Sequence, residues 1–499
     1  MTSLFLQEAM MILQEKEDKK QVVLTAVAPL CQEHSEFSGL ASLAVGLQQG
    51  GTLDCKVISG GKTNYSYQVY LKEDPSKKVF AKLAFDYALW NPDRTVHYDL
   101  QRTVNEYDIM NMFANIMGEY APVAQPYHLV RIDHHTMMLV TEWASAGDEQ
   151  WANQFIDGKV DMRIIPKIAN ALATLNLFED FDPKFNDNAR PCLLSLFEAF
   201  KDMFRQTINN TTNNDPNDSS IAVAREIGLE EFSIMIDNME QDYMQRECLI
   251  HNDAHVFNLL VEKKPSDDDL DRFGDKASLY ICDWEMAVAG PAGADPGKFF
   301  GYPLACAICH AMNGNKESAY HLLECTNEFW KVYEEILSTR GGKDTNALAN
   351  IFRQALGWAS YFLYNGFNQL DLFVDTMPIH DLAPDDIART RGAWSSLGLR
   401  LMHIAYGSNR QQLSLVDYKI LYNNLVTEQI EVMLGFAYER DGPSRRLRRS
   451  STLRASGKRI SDAMDMADVV AIAYNLSVEA IPSSNIDQRA DSISQKVAA

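Results

Sequence analysis

His251-Asn-Asp253-Ala-His255-Val-Phe-Asn258 is followed, after a hairpin whose second strand ends Leu279-Tyr-Ile-Cys282, by Asp283-Trp-Glu285. Phosphoryl transfer needs a carboxylate that orients a substrate hydroxyl and accepts its proton. It also needs hard oxygen ligands that hold Mg²⁺ against the phosphates of a nucleotide. Asp253 suits the first role, and Asn258, Asp283 and Glu285 suit the second. On an extended strand the carboxylates of Asp283 and Glu285 point the same way, because strand side chains alternate. His251 is expected to order the loop rather than to react.

Upstream of this stretch the chain supplies a complementary set. Leu53 to Ser59 and Ser66 to Leu71 read as strands around Gly60-Gly61, and Lys78 to Leu83 as a third strand. A glycine pair lets the backbone approach phosphates without a Cβ clash. Lys82 on the third strand can reach phosphates, and Glu106, on a helix expected from Leu100 to Met117, can fix its geometry. Glycine turn, strand lysine and helix glutamate, in that order ahead of Asp253, are the parts of a nucleotide site. Strands at His128 to Ile132 and Thr136 to Trp143 complete this half of the molecule.

Beyond Ala144 the pattern is helical apart from the hairpin Leu259 to Asp283. The expected architecture is therefore α+β, a two-lobed protein-kinase-like fold with a small β-rich N-lobe and a large, mostly helical C-lobe. Residues 1–50 read as a helical extension, 51–143 as the nucleotide-binding lobe and 144–440 as the catalytic and substrate-binding lobe. Residues 209–220 are a polar insert of low complexity. Residues 441–499 read as a flexible tail, basic at first, with seven cations between Arg445 and Arg459. Within it, Arg448-Arg449-Ser-Ser451 suits a basophilic protein kinase.

Bulk composition narrows the partners. A formal net charge of −22 over 499 residues argues against nucleic acid, whose phosphates are held by surplus Lys and Arg. No apolar run reaches the length of a membrane span and no signal-peptide pattern is present, so a soluble cytoplasmic protein is expected. Cys306-Ala-Ile-Cys309-His310 spells a haem-attachment motif, but it sits in an apolar helical stretch where buried reduced thiols fit better. His134-His135 reads as a surface turn.

These residues resemble the small-molecule kinases, a superfamily that includes aminoglycoside phosphotransferases, choline kinases and methylthioribose kinases. Asp283-Trp-Glu285 stands where protein kinases have Asp-Phe-Gly. Gly61-Lys-Thr-Asn64-Tyr65-Ser-Tyr67-Gln-Val69 is similar to the family's nucleotide loop, and Arg102 and Glu106 to its Arg-x-x-x-Glu helix. His251-Asn-Asp253-Ala-His255 resembles its catalytic loop. Gly290-Pro291-Ala-Gly293-Ala-Asp295-Pro-Gly297 is similar to a run found in methylthioribose kinases. The resemblance spans about residues 52 to 440.

It implies ATP and Mg²⁺ as cofactors, a small-molecule alcohol as substrate and a homodimer. Gly61, Asn64, Lys82 and Glu106 would serve the nucleotide, with Thr141, Glu142 and Trp143 near adenine. The substrate implied is 5-methylthioribose, phosphorylated at its anomeric hydroxyl in methionine salvage. Choline or ethanolamine, an aminoglycoside, or a pseudokinase without turnover are the alternatives. Two departures stand out: Asn252 replaces the family glycine, and of an Arg-Arg pair that holds the sugar only Arg400 remains.

Overall fold

A computed structural model describes residues 14–58, 63–87, 97–117, 122–144, 149–209, 219–261, 279–365, 382–408 and 413–452. Gly61, most of the 209–220 insert and the tail beyond 452 lie outside the described residues.

Five strands form one antiparallel sheet: β1 (Leu53–Ile58), β2 (Asn64–Leu71), β3 (Asp74–Phe85), β4 (Pro126–Arg131) and β5 (Thr136–Glu142), in the order β1-β2-β3-β5-β4. Strand alternation gives the sheet two different faces. Tyr67 and Val69 of β2, Val79, Ala81 and Leu83 of β3, and Met138 and Val140 of β5 are buried together on one face. Packed with them are Val23, Val27 and Leu30 of α1 (Lys20–Glu33) and Leu40 and Leu43 of α2 (Ser38–Gln48). The N-terminal extension is thus the cover of the sheet. Lys82, in register with Ser66 on one side and Leu139 on the other, points to the opposite face. There it meets α3 (Gln101–Met117), which joins β3 to β4.

The rest of the chain builds a second, larger core. Its helices are α4 (Ala152–Asp157), α5 (Ile165–Asn176), α6 (Arg190–Asn209), α7 (Ser219–Tyr243), α8 (Ala294–Met312), α9 (Lys316–Thr339), α10 (Thr345–Asn365), α11 (Pro384–Tyr406) and α12 (Leu415–Thr452). Short strands β6 (Glu149–Gln150), β7 (Cys248–Ile250), β8 (Leu259–Val261), β9 (Leu279–Ile281) and β10 (Val288–Gly290) frame the loops between them. The β8–β9 pair is antiparallel, so the expected hairpin is present. The helical backbone of α12 continues past Pro443 to Thr452.

Every residue of α8 is buried, and the helix packs on α9, α10, α11 and α12. Gly293 precedes it, and Gly297 and Gly301 follow at helical spacing. A Cβ on any of the three would run into the α10 backbone or side-chain roots, at Ile351, Ala355, Trp358 and Phe362. Glycine is needed here for close approach. Gly297→Ala is expected to destabilise the fold by about 1–3 kcal/mol, the usual cost of overpacking, seen as a lower urea midpoint.

Cys306, Cys309 and His310 also lie inside α8, buried among apolar side chains. Burial pushes both thiols well up, which suits reduced, inert cysteines. His310 Nε2 donates to the Phe155 carbonyl at 3.3 Å, and burial lowers its pKa to about 4. Between pH 6.5 and 4 the unfolded chain binds this proton and the folded chain does not, so stability falls on acidification. Relative to His310→Asn, the wild type should lose about 2–3 kcal/mol more between pH 7 and 4.5, read from paired urea titrations. Among the described residues no helix is long and apolar enough to cross a membrane.

Candidate active site

Lys82 is the hub of the site. Its Nζ donates to both Glu106 oxygens, at 2.9 and 3.0 Å, and to Asp283 Oδ1 at 2.6 Å. The side chain is buried, which by itself would strip its proton. Asp283, Glu106 and Glu285 surround it and hold its pKa well above the ordinary lysine value. Glu106 is pushed up as well, to about 7, by burial and by its like-charged neighbours Glu285 and Asp283. Strand lysine and helix glutamate therefore pair as the sequence predicts.

Asp283 and Glu285 do not lie on a strand, and this corrects the expected parallel pair of carboxylates. β9 ends at Ile281, Asp283 takes a left-handed backbone conformation (φ 64°), and Trp284–Met286 forms a 3₁₀ turn. The cause is Trp284. Its indole is fully buried against His251 and Phe113, with centroids 4.5 and 4.8 Å away, and its Nε1 donates to the Ile281 carbonyl. Burying that ring takes both flanking acids off the strand, yet their carboxylates still converge on Lys82 Nζ, at 2.6 Å from Asp283 and 3.5 Å from Glu285.

Glu285 points into a closed network. Its Oε1 accepts from Thr63 Oγ1 at 2.8 Å, and its Oε2 from Asn64 Nδ2 at 2.8 Å and Arg102 Nε at 3.1 Å. Arg102 also donates to Asn64 Oδ1 and to the Phe85 carbonyl. Burial opposes ionisation of Glu285, but Lys82 and Arg102 outweigh it and bring its pKa down to about 2. Both oxygens accept from protein donors, and Glu285 stands with Asp283 and Glu106 in a group of carboxylates that could hold a metal ion. Asn64, expected at the nucleotide, is a strut between Arg102 and Glu285. Asn186 holds the turn from below, donating to the Glu285 and Ala287 carbonyls at 2.8 Å each.

Asp283 keeps about a third of its side chain exposed, at 34%. Asn258 lies beside it for a simple reason of register. It immediately precedes β8, Asp283 follows β9 closely, Leu259 pairs with Ile281, and the Asn258 carbonyl accepts from Cys282 N at 2.8 Å. Oxygen donors of Asp283 and Asn258 thus come to the same end of one hairpin. That donor chemistry fits a small hard cation such as Mg²⁺. Glu106, Asp283 and Glu285 also form a tight acidic group, but Lys82 is the cation among them.

Asp253 is reached from the other side of the same turn. Asn258 Nδ2 donates to Asp253 Oδ2 at 2.9 Å and to its carbonyl at 3.0 Å. His255 Nε2 stands 3.4 Å from that same Oδ2. Partial burial works against ionisation, but His255, Lys298 and His251 hold the carboxyl below its ordinary value. Oδ2 is thereby fixed, and Oδ1 is the oxygen left to meet a hydroxyl. His251 orders the loop as expected: Nε2 donates to the Cys282 carbonyl at 3.0 Å, Nδ1 accepts from Asp253 N, and burial lowers its pKa to about 4, so the ring is neutral.

The loop has a buried foundation that the motif did not announce. Asn252 adopts φ 63°, where asparagine is the usual substitute for glycine. Asp295, fully buried in the first turn of α8, accepts from His251 N at 2.7 Å and Asn252 N at 2.8 Å. Lys298 donates to the Asn252 carbonyl and to its Oδ1, and its Nζ lies 4.9 Å from the Trp358 ring centroid. Burial raises Asp295 to about 6 and lowers Lys298 to about 8. A lone lysine in a largely apolar helix was the available signal for Lys298.

The remaining expected residues are less informative. Thr141 Oγ1 donates to the Glu142 carbonyl, Glu142 pairs with Gln125 through its backbone, and Lys78 Nζ sits 4.8 Å over the Trp143 ring. Arg400 is exposed on α11, and no hydrogen bond or ion pair of the described residues joins it to the Asp253 loop.

No sequence-family model and no curated protein matches the chain. Among solved structures, an aminoglycoside-3′-phosphotransferase of type VIII is similar over 60% of this chain and 92% of its own, at 14% identity and TM-score 0.32. A glucosamine kinase is similar over 68% and 81%, at 11% identity and TM-score 0.36. An aminoglycoside phosphotransferase solved with ADP and hygromycin B covers 72% of this chain and 98% of its own, at 10% identity and TM-score 0.34. Likenesses at this level decide neither chemistry nor substrate; the side-chain geometry has to.

Proposed function

We propose that the chain is an ATP-dependent kinase of a small alcohol. The observation that carries this reading is the joining of two separated motifs by one ammonium group: Lys82 Nζ lies 2.9 Å from Glu106 and 2.6 Å from Asp283. Around that contact stand a carboxylate poised to accept a proton and oxygen donors for a divalent cation. The acceptor hydroxyl donates to Asp253 Oδ1 while Asn258 and His255 hold Oδ2. Lys82, kept in place by Glu106, is the cation offered to nucleotide phosphates, and Thr141 to Trp143 border adenine. Mg²⁺, held by Asp283 and Asn258, would neutralise charge on the phosphates when bound. A nucleotide-binding pseudokinase is the poorer account, since each of these groups is present and positioned.

For the acceptor we favour 5-methylthioribose, phosphorylated at its anomeric hydroxyl. Support comes from the Gly290 to Gly297 run, whose sequence is similar to one found in methylthioribose kinases. The test is ADP release by the purified chain with Mg·ATP and 5-methylthioribose, choline, ethanolamine, ribose or kanamycin. Turnover of methylthioribose alone is the expected result. Turnover of another alcohol in its place would overturn the substrate and keep the chemistry.

A further inference from the structure

Separate from the Asp253 loop, a cavity of about 620 Å³ opens between α9, α10 and the start of α12. That volume is in the range of pockets that hold small organic ligands. None of the residues that build the candidate active site lines it. Four rings form its apolar side: Phe300 of α8, Trp330 of α9, Phe352 of α10 and Tyr422 of α12. Trp330 and Phe352 meet edge to face with centroids 4.5 Å apart, and Tyr422 lies 5.9 Å from both Phe300 and Phe352. The rings come from four helices of the larger core, so packing fixes the walls.

Most of the polar side chains beside these rings are paired within the protein. Asn327 Nδ2 donates to Asn423 Oδ1 at 3.0 Å, and Asn423 Nδ2 donates to the Lys419 carbonyl at 2.9 Å. Thr326 Oγ1 donates to the Leu323 carbonyl and accepts from the Tyr422 hydroxyl. Lys419 and Glu334 form an ion pair that joins α12 to α9, and Lys331 pairs with Glu328. Neither lysine therefore calls for an anion. Trp330 differs. It is 3% exposed, yet its indole N–H meets no hydrogen-bonding partner among the described residues. A buried donor without an acceptor carries a desolvation cost, which an occupant's oxygen removes. A flat apolar body in the same occupant gains contact with the ring edges and faces around it.

We infer that this cavity is a second ligand site, for a small, uncharged, ring-bearing molecule whose one acceptor oxygen takes the Trp330 N–H. The inference goes beyond the kinase reading and does not depend on it. Nucleotides and bare sugars lack this chemistry. Phosphates would meet Glu334 and Glu335 on the wall, and sugar hydroxyls would face side chains whose hydrogen bonds are already made.

The test uses prodan, a naphthalene carrying a ketone and a dimethylamino group, beside its analogue in which the ketone is a methylene. Both are titrated by fluorescence into the full chain at saturating Mg·ADP, which keeps them out of a nucleotide cleft. One saturable site is expected, with prodan bound about fivefold or more tighter than the methylene analogue, the worth of one hydrogen bond. Trp330→Phe removes the N–H and keeps a ring in place; it should erase that difference by weakening prodan alone. Because this ring is buried, a second variant is needed that leaves the core untouched. Ser338→Trp, at an exposed position of α9 on the cavity wall, fills the mouth and should abolish saturable binding of both compounds. Urea midpoints confirm that each variant is folded. Equal affinity of the two compounds overturns the inference, as does a difference that survives Trp330→Phe. Binding retained in Ser338→Trp places the compounds elsewhere and overturns it too, and so does the lack of any saturable binding to the wild type.

Discussion

Asp253→Asn should lower kcat by about 10²–10⁴-fold, the usual worth of a general base, while ATP affinity changes less than about threefold. The substitution keeps the side chain's shape and an oxygen acceptor near Asn258. It removes the negative charge and the capacity to take a proton. Lys82, Glu106 and Asp283 do not contact Asp253 through hydrogen bonds, so nucleotide binding has no reason to follow the loss of turnover. Steady-state ADP release and equilibrium titration with ATP check the two halves separately. Retention of more than a tenth of wild-type kcat would remove Asp253 from the base role. The pH profile adds a second check. Since His255, Lys298 and His251 hold the Asp253 carboxyl below its ordinary value against the effect of burial, the base is ionised throughout the neutral range. An acid limb near pH 6 in kcat/KM would have to come from another group.

The separation between what the sequence discloses and what it hides follows the range of the interactions involved. Lys82, Glu106, Asp253, Asn258 and Asp283 were picked out as candidates by residue type and order, and the structure brings Lys82 to Glu106 and Asp283, and Asn258 to Asp253. The five strands of the large sheet could be found as short apolar runs between turn residues, whereas β6, β7 and β10, of two or three residues each, were not. The turn at Asp283 could not, because it depends on where a distant core places Trp284: against His251 of one loop and Phe113 of α3. Arg102 was noticed as half of a motif, yet its work, joining Glu285 to Asn64 and Phe85, spans up to 183 positions of chain. The first 50 residues looked like an appendage; only the packed sheet shows that Val23, Val27 and Leu43 finish its hydrophobic face. Arg400, selected by resemblance, is exposed on α11.

Asp295→Ala should cost about 3–5 kcal/mol of stability, the scale for breaking a buried charged group away from its partners. Three buried groups lose a counterpart at once. The N–H groups of His251 and Asn252 are left without an acceptor, each a desolvation cost of about 1–3 kcal/mol. Lys298, buried and bonded to Asn252, loses one of the two carboxylates whose charge acts on it and keeps Asp253. Asn252 then has little to hold φ at 63°, and the next residue is Asp253. Activity should therefore fall further than stability alone accounts for, at temperatures where the variant remains folded. The companion variant is Lys298→Met. Alone it should destabilise, because the Asn252 carbonyl and Oδ1 lose their donor and Asp295 loses a cation. Combined with Asp295→Ala it should recover part of the lost stability, since the double variant no longer buries the Lys298 charge. A double-mutant cycle from urea unfolding reads this coupling directly. Strict additivity of the two losses would mean that Asp295 and Lys298 support the loop independently, and that the buried pair is not one unit.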